Sequence, residues 1–94
     1  MKNKRFHVII KGRVQGVGFR YFTKETAQKL GITGWVRNTF SGDVEVTAEG
    51  TDDKINTFMQ SIQRGPQSAF VSEFDINWDE PTGEFKKFSI LSTY

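Results

Sequence analysis

Apolar and polar positions alternate with period two from Phe6, with Phe6, Val8 and Ile10 on one side and His7, Ile9 and Lys11 on the other. A run of that period, rich in β-branched residues, is a strand, and it ends near Gly12. Beyond Arg20 the period lengthens. Phe22, Thr26, Ala27 and Leu30 fall at helical spacing among Lys24, Glu25, Gln28 and Lys29, and Gly31 stops the helix. GWVRNTF then reads as a strand and SGD as a tight turn. In DVEVTAEG, Val44, Val46 and Ala48 alternate against Glu45, Thr47 and Glu49, which completes a hairpin. Ile55, Phe58, Met59 and Ile62 make one apolar helical stripe. Thr51 or Asp52 can cap that helix, Asp52 and Asp53 suit the positive end of its dipole, Arg64 suits the other, and Gly65-Pro66 closes it. Phe70, Phe74, Ile76 and Trp78 alternate through a further strand; a linker-like DEPTGE leads to FKKFSIL, the last one.

The order is strand, helix, strand, strand, helix, strand, with room for a short extra strand. Two amphipathic helices can both bury their stripes if they share one face of the sheet. The expected fold is therefore α+β: a ferredoxin-like α/β sandwich (βαββαβ) with an antiparallel sheet and two helices on one face. With 94 residues, the chain is expected to form a single domain spanning 1–94.

Composition removes several function classes. No stretch approaches the ~20 apolar residues of a membrane span, and the start, MKNKRFHVII, lacks the h-region and cleavage site of a signal peptide, so a cytoplasmic location is the default expectation. The absence of cysteine excludes disulfides and a thiolate nucleophile; with a single histidine, it also excludes ordinary zinc sites. The net charge of +2 is spread along the chain and suits a solvated surface or a small anionic ligand better than a nucleic-acid face. The chain has no obvious apolar heptads, so a monomer is the default.

The chemistry concentrates in GRVQGVGFR, Gly12 to Arg20, placed between the first strand and the first helix. Backbone N–H groups of such a loop lie beside the orphan donors of the helix and together form a positively polarised cradle for an anion. Gly12, Gly16 and Gly18 let the backbone approach a ligand closely, and Arg20 adds a planar fork for two phosphate oxygens. The glycines alone fit a tight strand-to-helix turn equally well. Two nucleotide loops fail the test. Gly12 and Gly16 are too close for a P-loop and no Lys-Ser/Thr follows, while a dinucleotide fingerprint from Gly16 would need glycine or alanine where Tyr21 stands.

GRVQGVGFR followed by GWVRN resembles the two signatures of the acylphosphatase family, G-x-V-Q-G-V-x-F-R and G-aromatic-small-basic-N, matched at Gly12–Arg20 and Gly34–Asn38. The likeness runs over the whole chain. It departs after the second helix, where many members resemble G-P-P-G-A-R and this chain reads GPQSAF, without the basic residue. The resemblance implies an enzyme hydrolysing acyl phosphates to a carboxylate and inorganic phosphate. It implies that Arg20 binds the phosphate and Asn38 positions the attacking water.

Such a substrate leaves as a carboxylate, whose conjugate acid has a pKa of about 4 to 5, so no general acid is required. What remains is to bind the phosphoryl oxygens, spread their charge and place water in line behind phosphorus. Arg20 and the backbone N–H groups of Gln15, Gly16, Val17, Gly18, Phe19 and Arg20 suit the first two tasks; the Asn38 amide, donor and acceptor both, suits the third. No metal and no cofactor are expected, and the partner is a small acyl phosphate. Without the family match Asn38 would be an ordinary strand-end residue, and His7 reads as a surface residue rather than a base. Trp35 and Trp78 read as packing, and the Gln15 side chain as structural. An RNA-recognition domain shares this element order, but DVEVTAEG stands where such a domain needs a basic, aromatic strand. No nucleic-acid or membrane partner is therefore expected. A phosphate sensor without turnover is the other alternative, and a steady-state assay separates it from the enzyme.

Overall fold

The structure, a computed structural model, describes residues 3–94. Its elements are β1 (Asn3–Arg13), α1 (Phe19–Leu30), β2 (Thr33–Asn38), β3 (Val44–Thr51), α2 (Asp52–Arg64), β4 (Phe70–Asp79) and β5 (Phe88–Ile90). They build a five-stranded sheet in the order β4-β1-β3-β2-β5. β1 pairs antiparallel with β3 and β4, and β3 antiparallel with β2. α1 packs over β2 and β5, and α2 over β3, β1 and β4. This is the ferredoxin-like sandwich expected from the element order. Among the described residues no helix is long and apolar enough to cross a membrane.

The short last strand departs from the antiparallel scheme: β5 runs parallel to β2, with Gly34 opposite Phe88 and Val36 opposite Ile90. The chain geometry accounts for this. β4 ends, at Asp79 opposite Arg5, on the same end of the sheet where β2 begins. Residues 80–87 therefore only have to cross from one edge to the other, and the chain enters beside β2 in β2's own direction. Phe88, 3 % exposed, holds it there, its ring edge-on to Phe58 of α2 at 5.8 Å. Burying a side chain of that size is worth about 1.5–3 kcal/mol, which offsets part of the cost of ordering the three residues of this edge strand.

The alternation along β1 and β3 holds as read. Phe6, Val8, Ile10, Val44, Val46 and Ala48 are all fully buried against the helices. Along β4 the phase breaks. Lys11 pairs with Glu73 but Gly12 pairs with Val71, so Ser72 is an extra residue on the β4 side. A bulge of this kind reverses which side chains face the core. Val71 joins Phe74 and Ile76 against the core, and Phe70, expected on that face, is 66 % exposed. Gly12 serves this bulge. Its φ is +127°, and an added Cβ would overlap the Phe70 carbonyl oxygen.

The helices also differ in detail from the sequence pattern. α1 begins at Phe19, so Phe19 and Arg20 belong to its first turn. Its buried line is Phe19, Thr23 and Ala27, with Phe22 and Leu30 only partly covered. Thr23 can be buried because its hydroxyl donates to the Phe19 carbonyl at 2.8 Å. α2 buries Ile55, Phe58 and Ile62 as read. Thr51 occupies the N-cap but makes no capping bond to the backbone; its hydroxyl donates to the Asp53 carboxylate at 2.8 Å instead.

The sheet face away from the helices is partly covered by the 80–87 segment. The Glu49 side chain, 4 % exposed, accepts from the Thr82 and Gly83 N–H groups at 3.0 Å each, from the Thr82 hydroxyl at 3.0 Å and from Arg5 at 2.8 Å. Arg5 also bonds Glu84 at 2.9 Å and lies over the Phe85 ring. The segment read as a linker is thus fastened to β3 and β1.

Candidate active site

Three strands and one helix end at the same rim of the sheet. β1 finishes there at Arg13, β2 at Asn38 and β5 at Ile90, and α1 starts there at Phe19. β3 separates β1 from β2: Val44 faces Ile10 on one side and Asn38 on the other. At ~4.8 Å per strand, Asn38 lies about 10 Å across the sheet from Ile10 of β1. The loop between β1 and α1 must pass back over the start of β3, and this brings it to Asn38.

Val14, 1 % exposed, anchors the loop at its start, and Phe19, 2 % exposed, at its end. Between them Gly16 and Gly18 take φ of +74° and +77°, the left-handed region. Gly18 is the N-cap of α1, and beyond its own chain neighbours no protein atom lies within 4 Å of where its Cβ would be, so the backbone there faces open space. The first α1 hydrogen bond runs from Phe22 N–H to the Gly18 carbonyl at 3.0 Å. The N–H groups of Phe19, Arg20 and Tyr21 precede it, no side chain caps them, and the first turn has no acidic residue to offset the positive end of the dipole.

Gln15 has the structural role read for it. Its Nε2 donates to the carbonyls of Thr39 and Asp43, both at 2.8 Å, and so straps the loop to the β2–β3 turn. A second strap joins β1 to that turn, from Lys11 Nζ to Asp43 at 2.9 Å. The hydrogen bond and the attraction of Asp43 raise the Lys11 pKa above the ordinary lysine value. Asn38 is held through its backbone: its carbonyl accepts from Tyr94 N–H at 3.1 Å.

These constraints leave a cavity of about 300 Å³ lined by Val14, Gly16, Gly18, Phe19, Arg20, Tyr21, Asn38 and Ile90. Of the residues singled out in the sequence, Gly16, Gly18, Phe19, Arg20 and Asn38 meet at this wall. Gln15 and Val17 do not line it; Val17 packs against the core. Arg20 is half-buried, and among the described residues it takes part in no salt bridge. Val14, Tyr21 and Ile90 line it too, and the sequence marks none of them as a site residue. Tyr21 adjoins Arg20 in sequence, but nothing local marks Ile90, which arrives only through the pairing of β5 with β2.

His7 lies elsewhere. On the helix-free face its Nε2 is 2.7 Å from Glu45, which also accepts from Arg37 Nε at 2.8 Å. Burial pushes the Glu45 pKa up, but the bonds from Arg37 and His7 outweigh it and leave the carboxyl below its usual range. Arg37 in turn is sandwiched between the rings of Trp35 at 4.6 Å and Tyr94 at 4.0 Å. Among the described residues no cluster of histidine, aspartate and glutamate is arranged to hold a metal ion.

The wall therefore offers oriented amides, one guanidinium and one carboxamide, a set suited to holding an oxyanion beside a water molecule. Known proteins resemble this chain in sequence and in fold. The Acylphosphatase family profile matches residues 6–90. An acylphosphatase of Pyrobaculum islandicum is 45% identical over 94 residues, 99% of both chains. One from Salinibacter ruber is 41% identical over 87 residues, 93% of this chain and 92% of the relative. The crystal structure of the Bacillus subtilis acylphosphatase superposes with a TM-score of 0.90 at 34% identity, covering 94% of this chain and 98% of that one. On fold, signature and relatives together, the chain belongs to the acylphosphatase family of enzymes.

Proposed function

We propose that this chain hydrolyses the carboxyl–phosphate bond of acyl phosphates without a metal ion, with Arg20 and the loop amides of residues 15–20 holding the phosphoryl group and Asn38 orienting water. One observation supports this reading above the others. A single cavity brings the glycine loop, Arg20 and Asn38 together from separate elements, and its lining includes no carboxylate or imidazole.

The Arg20 fork meets two phosphoryl oxygens, and the uncapped N–H groups at the start of α1 meet the remaining charge as it develops. The Asn38 carboxamide accepts from a water and holds it in line with the bond to be broken. Water oxygen adds to phosphorus, the bond from phosphorus to the acyl oxygen breaks, and its electron pair departs with the carboxylate. Because that leaving group is stable as an anion, no side chain has to protonate it. The Arg20 guanidinium is permanently protonated and the wall has no carboxylate or imidazole to act as a base, so the substrate's own oxygens receive the proton of the water.

Steady-state hydrolysis of benzoyl phosphate, in chelator, tests the assignment. Arg20→Ala is expected to lower kcat/KM by about 100-fold or more and to weaken inhibition by phosphate. Asn38→Ala is expected to lower kcat by a similar order while phosphate inhibition persists. Undiminished turnover in Arg20→Ala removes the mechanism. Loss of activity in EDTA that a divalent ion restores refutes the metal-free step.

A further inference from the structure

Behind Asn38, on the helix-free side of the sheet, four side chains close a circuit of contacts across three adjacent strands. Arg37 of β2 stands directly opposite Glu45 of β3, and in the neighbouring row of that face Trp35 and His7 flank Thr47. Arg37 Nε donates to the Glu45 carboxylate at 2.8 Å, and Nε2 of His7 lies 2.7 Å from the same carboxylate. The His7 ring meets the Trp35 ring edge-on at 6.5 Å, and the Arg37 guanidinium covers that indole at 4.6 Å. Each member is therefore held by two others. The Arg37 and Glu45 side chains are only 19 % and 14 % exposed, so water competes weakly for their bond.

Two routes lead from this circuit to the cavity on the other face. Arg37 immediately precedes Asn38, and successive side chains of a strand point to opposite sides, so holding Arg37 on one face sets the direction of Asn38 on the other. The second route runs through the end of the chain. The Tyr94 ring covers the guanidinium at 4.0 Å, while Tyr94 N–H donates to the Asn38 carbonyl and the Tyr94 carbonyl accepts from Phe40 N–H, both at 3.1 Å. Asn38 is held through its backbone, and its carboxamide follows wherever that backbone sits.

We infer that Glu45 and Arg37 are positioning residues for the hydrolytic step: Glu45 fixes the guanidinium, and the guanidinium fixes the end of β2 so that the Asn38 carboxamide meets the attacking water. This rests on the reading of Asn38 as the group that orients water. Without the carboxylate, the guanidinium turns out toward solvent from between Trp35 and Tyr94, and the end of β2 loses its brace. The cradle stands on other supports, Val14, Phe19 and the Gln15 strap, and keeps its hold on phosphate.

The test is a double-mutant cycle on benzoyl phosphate hydrolysis, run at a temperature where each variant is folded by circular dichroism. Glu45→Ala is expected to lower kcat about tenfold while inhibition by inorganic phosphate changes less than about twofold, since a displacement of well under ~1 Å suffices for a loss of that order. Glu45→Gln, which keeps an oxygen for Arg37 and an amide for His7, should restore most of the rate. In an Asn38→Ala background, Glu45→Ala should lower kcat by less than about twofold, because the group it positions is already gone. Arg37→Met enters the circuit at its other end and should give the same pattern, which keeps the test open if Glu45→Ala does not fold. Glu84→Ala removes a carboxylate that bonds Arg5 at the far end of the sheet and should leave kcat in place. Wild-type kcat in both Glu45→Ala and Arg37→Met overturns the inference, as does a full tenfold loss in the Asn38→Ala background or a parallel loss of phosphate inhibition. An equal fall with Glu84→Ala overturns it in favour of general loosening of the sheet. Wild-type kcat in Asn38→Ala alone refutes the reading of Asn38 instead.

Discussion

Replacing Gln15 by methionine keeps the length of the side chain and removes both of its donors. In the structure those donors meet the carbonyls of Thr39 and Asp43 at 2.8 Å each. Neutral hydrogen bonds contribute ~0.5–1.5 kcal/mol apiece, so the pair amounts to roughly 1–3 kcal/mol. Neither carbonyl is orphaned by the change. Thr39 still accepts from Gly42 N–H at 3.1 Å, and Asp43 from Thr39 N–H at 2.9 Å. The loss should therefore lie in the lower half of that range, about 1–2 kcal/mol, and lower the Tm by roughly 5–15 °C for a chain of this size. The same two bonds set the loop against the residue that follows Asn38. A displacement of ~1 Å between catalytic groups can cost ~100-fold, so kcat for benzoyl phosphate should fall at least about tenfold at a temperature where the variant is fully folded. The assay is a thermal melt followed by steady-state kinetics on the same preparation. Equal Tm and equal kcat in the variant refute the reasoning. A lowered Tm with unchanged kcat shows that Gln15 braces the fold without aligning the site.

The structure supports three further expectations. Burial pushes the Glu49 pKa up, but the N–H groups of Thr82 and Gly83, Arg5 and the Thr82 hydroxyl outweigh it, so the carboxyl sits below its usual range, as does Glu45. The stability these groups add is complete above the ordinary glutamate value near 4.5 and is lost as pH falls through their folded-state values. Glu49→Gln should therefore flatten the acid limb of stability measured by urea unfolding between pH 5 and 2; an unaltered limb counts against it. Gly12→Ala should destabilise by at least about 2 kcal/mol, since its Cβ would press on the Phe70 carbonyl at a φ of +127°; a wild-type urea midpoint would show that the bulge relaxes freely. Inorganic phosphate at about 100 times its Kd should stabilise the protein by ~2.7 kcal/mol, and Arg20→Ala should abolish most of that gain. An equal rise in Tm for the alanine variant would place the anion away from Arg20.

Much of the fold was legible in the sequence because its signals are local. The alternation of Phe6, Val8 and Ile10, the stripe of Ile55, Phe58 and Ile62, and the glycines from Gly12 to Gly18 each report a period or a backbone freedom that a short segment carries by itself. The element order then restricts the layers to one economical arrangement. Arg20, a cation at the end of the glycine loop, was visible for the same reason, whereas Asn38 stood out only through the resemblance of GWVRN to the family signature.

Tertiary structure decided what depends on contacts between segments far apart in the chain. Ser72 is an extra residue only in relation to β1, so the reversal that exposes Phe70 and turns Val71 inward has no trace in the alternation of β4 alone. Glu49 alternates like a solvent-facing residue, and it is buried because Thr82 and Gly83 fold over it. Ile90 reaches the cavity through the parallel pairing of β5 with β2. Periodicity records how a segment divides its surface between water and core. It does not record which distant segment completes that core, and the wall of this cavity is built at such a junction.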